Sequence, residues 1–198
     1  MDIDRLKGLR VAIIVTHGFE QIEMVDPRKA LEVAGAHTTL IAPSPGGVQG
    51  MNHDEKADTF TVEKILAEVD PEEFDALLLP GGVMNSDKIR IEKKAQEFVR
   101  AFDKAGKPIA VICHAPWLLV SSGVVKGRTL TSYHTLQDDI RNAGGNWVDQ
   151  PAVRDRNLVT SRKPADLDAF DSAMLDLFAE AMQGSKAGAA AGRQSPTF

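Results

Sequence analysis

Apolar runs of strand length alternate with longer segments of helical periodicity along this chain, and that alternation limits the folds open to it. Leu9 to Val15, Phe74 to Leu79 and Pro108 to Ile112 are such runs. Parallel strands that are covered on both faces are apolar throughout, and the helices that connect them supply the cover. The pattern therefore predicts an α/β fold with a mainly parallel central sheet.

The remaining elements follow from the same periodicity. Residues 1–184 are expected to form one domain, because 198 residues suit a single core of ordinary size. Residues 185–198 are rich in Gly, Ala and Ser and are interpreted as a flexible tail. Residues 43–58 predict turns or a small hairpin. Further strands are predicted at residues 38–42, 129–132, 147–148 and 158–159, and helices at residues 23–34, 61–69, 91–105, 115–122, 135–143 and 165–181.

The charge balance excludes some classes of partner. The formal net charge is -5 and the pI is about 5.5, whereas proteins that bind nucleic acid usually carry clustered Lys and Arg. We expect no stable nucleic-acid complex. The apolar run Val11 to Val15 is too short to cross a bilayer, and the first residues have no basic segment followed by a long apolar one. We therefore expect a cytoplasmic protein with no membrane partner.

Three segments with polar or glycine residues follow predicted strands. Ligands of open α/β sheets bind beyond the carboxyl ends of the strands. Gly18 to Glu23 follows the first strand, Pro80-Gly81-Gly82 follows the strand that ends at Leu79, and Cys113-His114 follows the strand that ends at Ile112. The sequence predicts a site where these three segments meet.

Cys113 is the single cysteine of the chain and stands between a buried strand and a helix. A residue at such a turn presents its side chain above the sheet, as the nucleophile does in hydrolases. The helix N-terminus would favour a thiolate and lower the thiol pKa. We expect a reactive thiolate near neutral pH, although a lone cysteine can also be a small buried apolar residue.

His114 is the candidate general base for Cys113. Consecutive helical residues do not face each other, so the pairing depends on the geometry of the turn. If the imidazole reaches the sulfur, it can move the proton during acyl transfer, with a carboxylate that fixes its tautomer. Asp87, in the predicted loop after the glycines, is the candidate for that carboxylate.

Glu20 and Glu23 stand three residues apart where a helix begins. Carboxylates are favoured at a helix N-terminus and can simply cap it, which is the alternative for Glu20. For Glu23 the functional interpretation is a buried, protonated acid that donates a hydrogen bond to the thiolate. An ionised Glu23 would instead raise the cysteine pKa.

Gly81 and Gly82 allow the backbone to approach a ligand. Their amides, together with the amide of His114, can form an oxyanion hole, and a plain tight turn is the alternative. Tyr133 can line the same pocket as a functional residue, or it can be a structural wall residue whose polar group is already paired. His53 is expected on the surface.

Sequence motifs for nucleotides, flavins and metal ions are missing from the chain. It contains no G-x-G-x-x-G, Walker loop, H-E-x-x-H or Cys-x-x-Cys. A single cysteine also excludes an intrachain disulfide and a cysteine-rich zinc site. We expect no cofactor and no metal.

Several of these segments together resemble the ThiJ/PfpI superfamily, and within it the branch of PfpI-like intracellular proteases and general stress proteins. The resemblance covers about residues 8 to 183. The segments that carry it are Gly18-Phe19-Glu20-Gln21-Ile22-Glu23, Phe74 to Gly82, Ile112-Cys113-His114-Ala115-Pro116, Thr131-Ser132-Tyr133 with Asp138-Asp139, and Thr160 to Leu167. His134 departs from the pattern, because that branch has Pro, Gly or Ser there.

The resemblance implies a flavodoxin-like three-layer sandwich related to class I glutamine amidotransferase domains. It also implies Cys113 as nucleophile, Glu23 as its acidic partner, and a homodimer or homohexamer. In PfpI-like proteases a glutamate of a neighbouring subunit completes the Cys-His pair; the matching position here is Asp87, whose shorter side chain changes its reach.

The resemblance implies a function of the same kind, and more than one activity is open. Family members have been linked to peptidase activity, to removal of glyoxal and methylglyoxal adducts from proteins and nucleotides, and to oxidation sensing. We expect a stress-protective, cofactor-free hydrolase that uses Cys113 and acts on a glycated or damaged protein or on a small carbonyl substrate. The alternative is a non-catalytic redox sensor or chaperone that works through oxidation of Cys113.

Overall fold

A computed structural model describes the backbone of residues 4–191 and the side chains of residues 4–184. The strands are β1 (Arg10–Ile14), β2 (Phe19–Glu20), β3 (His37–Ala42), β4 (Gly47–Asn52), β5 (Glu55–Thr61), β6 (Lys64–Ile65), β7 (Ala76–Leu79), β8 (Ile109–Ile112), β9 (Thr129–Leu130), β10 (Asn146–Trp147), β11 (Ala152–Asp155) and β12 (Leu158–Ser161). The α-helices are α1 (Ile22–Val33), α2 (Val83–Ile89), α3 (Lys93–Ala105), α4 (Pro116–Ser122), α5 (Gln137–Asn142) and α6 (Leu167–Ala191).

Seven strands form the central sheet, in the order β11-β12-β8-β7-β1-β3-β6. Every described pair in it is parallel except β11 with β12. The smaller sheets are β2-β4-β5, which contains the β4–β5 hairpin, and β9-β10. The predicted α/β fold with a mainly parallel central sheet is confirmed.

Alternate residues of β1 enter two different cores, as expected for a strand with helices on both faces. Val11 and Ile13 belong to a core that includes Phe170 of α6, and Ala12 and Ile14 belong to one that includes Phe98 of α3. Helices α1 and α6 cover the first face, and α3, α4 and α5 cover the second. The molecule is therefore a three-layer sandwich.

The predicted helix at residues 61–69 is wrong. Strand β6 pairs in parallel with the end of β3, and one 3-10 turn follows it at Leu66–Glu68. The Glu63 carboxylate accepts a hydrogen bond from the backbone N–H of Leu40 at 3.1 Å. These contacts with the sheet edge outweigh a weak helical periodicity in a short segment.

Three other elements differ from the prediction. Helix α2 occupies the segment that was expected to be a loop after the glycines, and β11 was not predicted. Helix α6 was expected to end at Ala181 but continues to Ala191, so part of the predicted tail is helical backbone. Residues 192–198 of that tail lie outside the described residues.

The order of the central strands determines where the site forms. Strands β8, β7 and β1 are neighbours in the middle of the sheet and run in the same direction. The segments that leave their carboxyl ends therefore come together above the sheet, as the sequence predicts for Cys113, Gly81 and Glu23.

Candidate active site

Cys113 occupies a strained turn between β8 and α4. Its φ is 63°, in the left-handed region that non-glycine residues rarely adopt. Two backbone hydrogen bonds hold the turn, from the N–H of Cys113 to the Ser161 carbonyl at 3.0 Å and from the N–H of Tyr133 to the Cys113 carbonyl at 2.7 Å. Left-handed strain of about 1–3 kcal/mol persists only where the surroundings fix it, and it concentrates at functional sites.

Glu23 lies on the first turn of α1 and is fully buried. Its Oε2 accepts a hydrogen bond from the Gly81 N–H at 3.1 Å, while Oε1 makes no hydrogen bond with the described residues. Burial raises the pKa of this carboxyl from 4.5 to about 8, against the opposing effect of the Cys113 side chain. At neutral pH Glu23 is therefore mostly protonated, which is the state that a hydrogen-bond donor to sulfur requires.

The expected low pKa of the Cys113 thiol is not supported. Cys113 is only 6% exposed, and burial raises the pKa of its thiol; negative charge on Glu23 raises it further. The backbone amides of Gly82 and His114 oppose this effect but do not outweigh it. Since α4 is only seven residues long, its N-terminus adds little. The resting site thus favours a thiol over a thiolate.

His114 reaches Cys113 despite being adjacent to it in sequence. Its Nδ1 lies 3.2 Å from Sγ, and its ring stacks on Tyr133 with 4.5 Å between ring centroids. Burial, and secondarily the charge of His134, lower the pKa of His114 to about 4. The imidazole is therefore neutral at physiological pH and can accept a proton from the thiol. On its other side, Nε2 lies 3.5 Å from Oγ1 of Thr135.

Asp87 does not contact His114 within the chain. It lies on α2 rather than in a loop, its side chain is exposed, and it is not part of the cavity that contains Cys113. Among the described residues Thr135, not Asp87, neighbours the far side of the imidazole. A contact between Asp87 and a His114 of another subunit stays a prediction.

Gly81 and Gly82 pack too closely for any side chain. A Cβ on Gly81 would collide with Oε2 of Glu23 and lie 2.7 Å from Cβ of Cys113. Gly82 has φ of 86°, and a Cβ there would lie 2.5 Å from the Gly18 carbonyl oxygen. Close approach of the backbone to the catalytic groups therefore requires both glycines. The N–H of Gly81 donates to Glu23 and is not free for the predicted oxyanion hole, whereas the roles of the Gly82 and His114 amides stay predictions.

Asn85 holds the glycine segment in place, a role that the sequence analysis missed. Its Nδ2 donates to the carbonyls of Pro80 and Gly81 at 3.0 and 2.9 Å, and its Oδ1 accepts from the N–H of Thr16 at 2.7 Å. The side chain is buried, with 1% exposure. The position of Asn85, three residues after the Gly-Gly pair, could have indicated this role. A buried asparagine requires several hydrogen-bond partners, and the carbonyls of a nearby turn can supply them.

A cavity of about 730 Å³ opens above Cys113. It includes six of the predicted site residues and several that were not predicted, among them His53, Met84 and Lys163. Its lining is Gly18, Glu20, Glu23, His53, Asp54, Gly82, Val83, Met84, Cys113, His114, Tyr133, Lys163, Pro164 and Ala165.

Glu20 faces this cavity and does not cap α1. The cap position of that helix is Gln21, which makes no side-chain capping bond. The Glu20 carboxylate instead accepts a hydrogen bond from the backbone N–H of His53 at 3.1 Å. The capping alternative is therefore wrong, and His53, although exposed, forms part of the cavity wall.

Metal-binding clusters and membrane-spanning helices are both absent from the part of the chain that the structure describes. In that part, no three His, Cys, Asp or Glu side chains are grouped so that they could hold a metal ion. None of its helices combines the length and the apolar character needed to cross a membrane.

Comparison with protein families and known proteins gives a consistent result. The model of the DJ-1/PfpI family matches residues 9–177. The chain is 39% identical to "Putative cysteine protease YraA" of Bacillus subtilis, over 85% of this chain and 97% of the relative. It is 40% identical to "Deglycase PfpI" of Pyrococcus furiosus, over 82% of this chain and 95% of the relative.

The fold is also that of solved structures. Drosophila melanogaster DJ-1beta superposes with a TM-score of 0.77 and 27% sequence identity, over 89% of this chain and 97% of that protein. The resemblance inferred from the sequence motifs is thereby confirmed.

Proposed function

The chain belongs to the DJ-1/PfpI family, and from this we propose that it is a stress-protective, cofactor-free hydrolase that removes small carbonyl adducts through Cys113. One observation carries the proposal: Sγ of Cys113 lies 3.2 Å from the neutral Nδ1 of His114, in a cavity that also contains the protonated Glu23. A nucleophile, a base and an acid thus face one space.

The first chemical step is displacement of the amine or thiol of the substrate by the Cys113 thiol. In an adduct of methylglyoxal with an amine or a thiol, Sγ attacks the adduct carbon and the bond from that carbon to the nitrogen or sulfur breaks. The thiol proton passes through Nδ1 of His114 to the departing heteroatom. Because His114 is a weak base at rest, the thiol is deprotonated only as the new bond forms.

The second step converts the enzyme-bound hemithioacetal to lactate. Neutral His114 takes the proton from the carbon attached to sulfur and returns it to the neighbouring carbon. Protonated Glu23 gives its proton to the ketone oxygen and takes the proton of the hydroxyl group, so that the hydroxy ketone becomes a thioester of lactic acid. The amides of Gly82 and His114, which favour negative charge at the sulfur, are the candidates for binding an oxygen on the carbon attached to it. Water then hydrolyses the thioester and regenerates the thiol, so that water is the only co-reactant.

The shape of the cavity favours this activity over cleavage of an extended peptide. A volume of about 730 Å³ is typical of a pocket for a small molecule or a single modified side chain. The relative named a deglycase supports this substrate class. The relative with cysteine protease in its name supports the peptidase alternative, which uses the same nucleophile on an amide carbonyl.

Lactate release from a methylglyoxal-modified peptide tests the proposal. The native protein should complete many turnovers per subunit, and Cys113→Ala at the same concentration should complete none. Failure of the native protein to release lactate would contradict the proposed activity, and cleavage of an unmodified peptide by the native protein would favour the peptidase.

A redox sensor is the second candidate, on a separate observation. Oε1 of Glu23 has no hydrogen-bond partner among the described residues, and the carboxyl is close enough to Cys113 for each to shift the other's pKa. A sulfinate on Cys113 formed by peroxide could accept a hydrogen bond from this carboxyl. Titration with hydrogen peroxide should then add two oxygens to Cys113, and Glu23→Leu should promote further oxidation to the sulfonic acid.

Self-association is proposed as well, as a homodimer or homohexamer. Three apolar side chains on and after α2 are unusually exposed: Val83, Met84 and Ile91, the last with 74% exposure. Asp87 lies on the same helix, so a second copy docked there would bring Asp87 near a neighbouring site. Light scattering measures the molecular mass in solution, which should be that of a dimer or hexamer for the native protein and lower for Ile91→Glu. A monomer mass for both proteins would contradict self-association.

A further inference from the structure

Glu20 is a buried carboxylate without a strong cationic partner. The residue is 8% exposed. Its described polar contacts come from His53, whose N–H lies 3.1 Å from Oε2 and whose Nδ1 is 3.9 Å from Oε1. Within residues 4–184, no Lys or Arg side chain forms an ion pair with Glu20 at 4.0 Å or less. Buried charges are normally paired, since desolvation without a partner is costly.

The open side of this carboxylate faces the substrate. Glu20 lines the cavity above Cys113 and also a second cavity of about 490 Å³ that contains Ile22, Val25 and Met51. It therefore stands at the junction between the reacting groups and an adjoining, largely apolar space. A leaving group that extends from the adduct carbon towards this space must pass the carboxylate.

Other charged groups at the cavity do not neutralise Glu20. Asp54 is a second carboxylate in the lining, and Glu23 is protonated at neutral pH. Lys163 lines the cavity from the loop after β12, but it is exposed and remains outside ion-pair distance of Glu20. The charge of Glu20 also contributes to the raised pKa of Glu23, so its negative field reaches the catalytic acid.

We propose that Glu20 binds a cationic group in the leaving part of the substrate, so that the site prefers carbonyl adducts whose leaving group carries an ammonium or guanidinium. The ligand would supply the positive charge that the buried carboxylate lacks. This inference rests on the proposed function and adds a substrate preference to it.

A matched pair of adducts separates charge from shape. Thiocholine carries a permanent quaternary ammonium, and 3,3-dimethylbutane-1-thiol is its neutral isostere; neither can cyclise with an aldehyde. The hemithioacetal of methylglyoxal with each thiol is supplied to the native protein, and lactate is measured. We expect kcat/KM to be about 10-fold higher for the cationic adduct, the range of a charge contact in a partly desolvated site.

Three variants assign the preference. Glu20→Gln should bring the ratio of the two kcat/KM values to about one, chiefly through a higher KM for the cationic adduct. Using the ratio cancels any general loss of activity, including one caused by a changed pKa of Glu23. Glu97→Gln, which removes an exposed charge from α3, should leave the ratio unchanged. Asp54→Asn should lower it less than Glu20→Gln does, because solvent screens an exposed carboxylate.

The outcomes distinguish the two proposals. If the native protein turns over neither adduct, the proposed function fails. If it turns over both through Cys113 with a ratio near one, or if Glu20→Gln keeps the preference, only the role of Glu20 is overturned. If Glu20→Gln does not fold, inhibition of the native protein tests the role of Glu20 instead. Tetramethylammonium should inhibit turnover of the neutral adduct, and tert-butanol at the same concentration should not. Equal effects of the two compounds would overturn the role of Glu20.

Discussion

The imidazole Nδ1 of His114 lies 3.2 Å from Sγ of Cys113, although the two residues are consecutive in the chain. The left-handed φ of 63° at Cys113 makes this possible, because it turns the backbone before α4 begins. Helical geometry would have separated the two side chains. The strain at one residue is thus linked to the pairing on which the proposed chemistry depends.

The activity should have a pH optimum between the pKa values of His114 and Glu23. Below about pH 4, His114 is protonated and cannot accept the thiol proton. Above about pH 8, Glu23 loses the proton it donates, and its charge raises the thiol pKa further. A plot of log kcat/KM against pH measures both limbs. Glu23→Gln should have a much lower rate, because the amide cannot exchange a proton, and its residual activity should lack the alkaline limb. A rate that rises through pH 8 in the native protein would contradict a protonated Glu23.

Gly81→Ala should inactivate the protein and lower its stability. The added Cβ would collide with Oε2 of Glu23 and lie 2.7 Å from Cβ of Cys113. Overpacking of this kind costs about 1–3 kcal/mol. Thermal unfolding and lactate release measure the two effects. Gly184→Ala is the control, because a Cβ there meets nothing within 4 Å. It should keep the native activity and unfold at no lower a temperature, since alanine is more favourable than glycine inside helix α6.

Asn85→Ala should be more damaging than removal of an ordinary asparagine. The change leaves the Pro80 carbonyl and the partly buried N–H of Thr16 without their partner, while the Gly81 carbonyl keeps only the N–H of Glu20 at 3.4 Å. A buried polar group without a partner costs about 1–3 kcal/mol. We expect a large fall in the free energy of unfolding, measured with urea, together with lower kcat. Asn146→Ala removes one exposed hydrogen bond and should change stability by under about 0.5 kcal/mol.

The sequence predicted the parts of the site that buried strands position. Apolar runs located β1, β7 and β8, and the segments after them contain Glu23, Gly81 and Cys113, which the structure brings together. The sequence predicts such strands well, because a strand that is apolar on both faces can lie only inside the core.

The sequence did not predict properties that depend on tertiary contacts. Helix α2 contains Asn85 and Ser86, which are polar but buried, so its apolar periodicity is weak. The direction of the Cys113 pKa shift was also wrong, because the sequence shows the helix that follows the thiol but not how fully the thiol is buried. Asp87 was placed in a loop for the same reason that α2 was missed.

Asp171 should make the protein less stable as the pH rises towards 8. It lies on α6, its Oδ1 has no hydrogen-bond partner among the described residues, and burial, with the charges of Asp26 and Asp168, raises its pKa from 3.8 to about 7. A carboxyl whose pKa is higher in the folded state than in the unfolded state binds protons more tightly when folded. Its contribution to stability is therefore fully present below about pH 4 and is lost as the pH rises through 7.

Asp171→Asn tests this, because the amide resembles the protonated acid at every pH. We expect the variant to unfold at a higher temperature than the native protein at pH 8, by about 2–4 °C for about 1 kcal/mol once solvent screening at this partly exposed side chain is allowed for. At pH 4 the two should unfold at the same temperature. Glu23 titrates in an overlapping range, so the difference between variant and native protein is the informative quantity. Glu97→Gln should show no such pH-dependent difference, and a stabilisation by Asp171→Asn that is equal at both pH values would mean that packing, and not the charge of Asp171, is responsible.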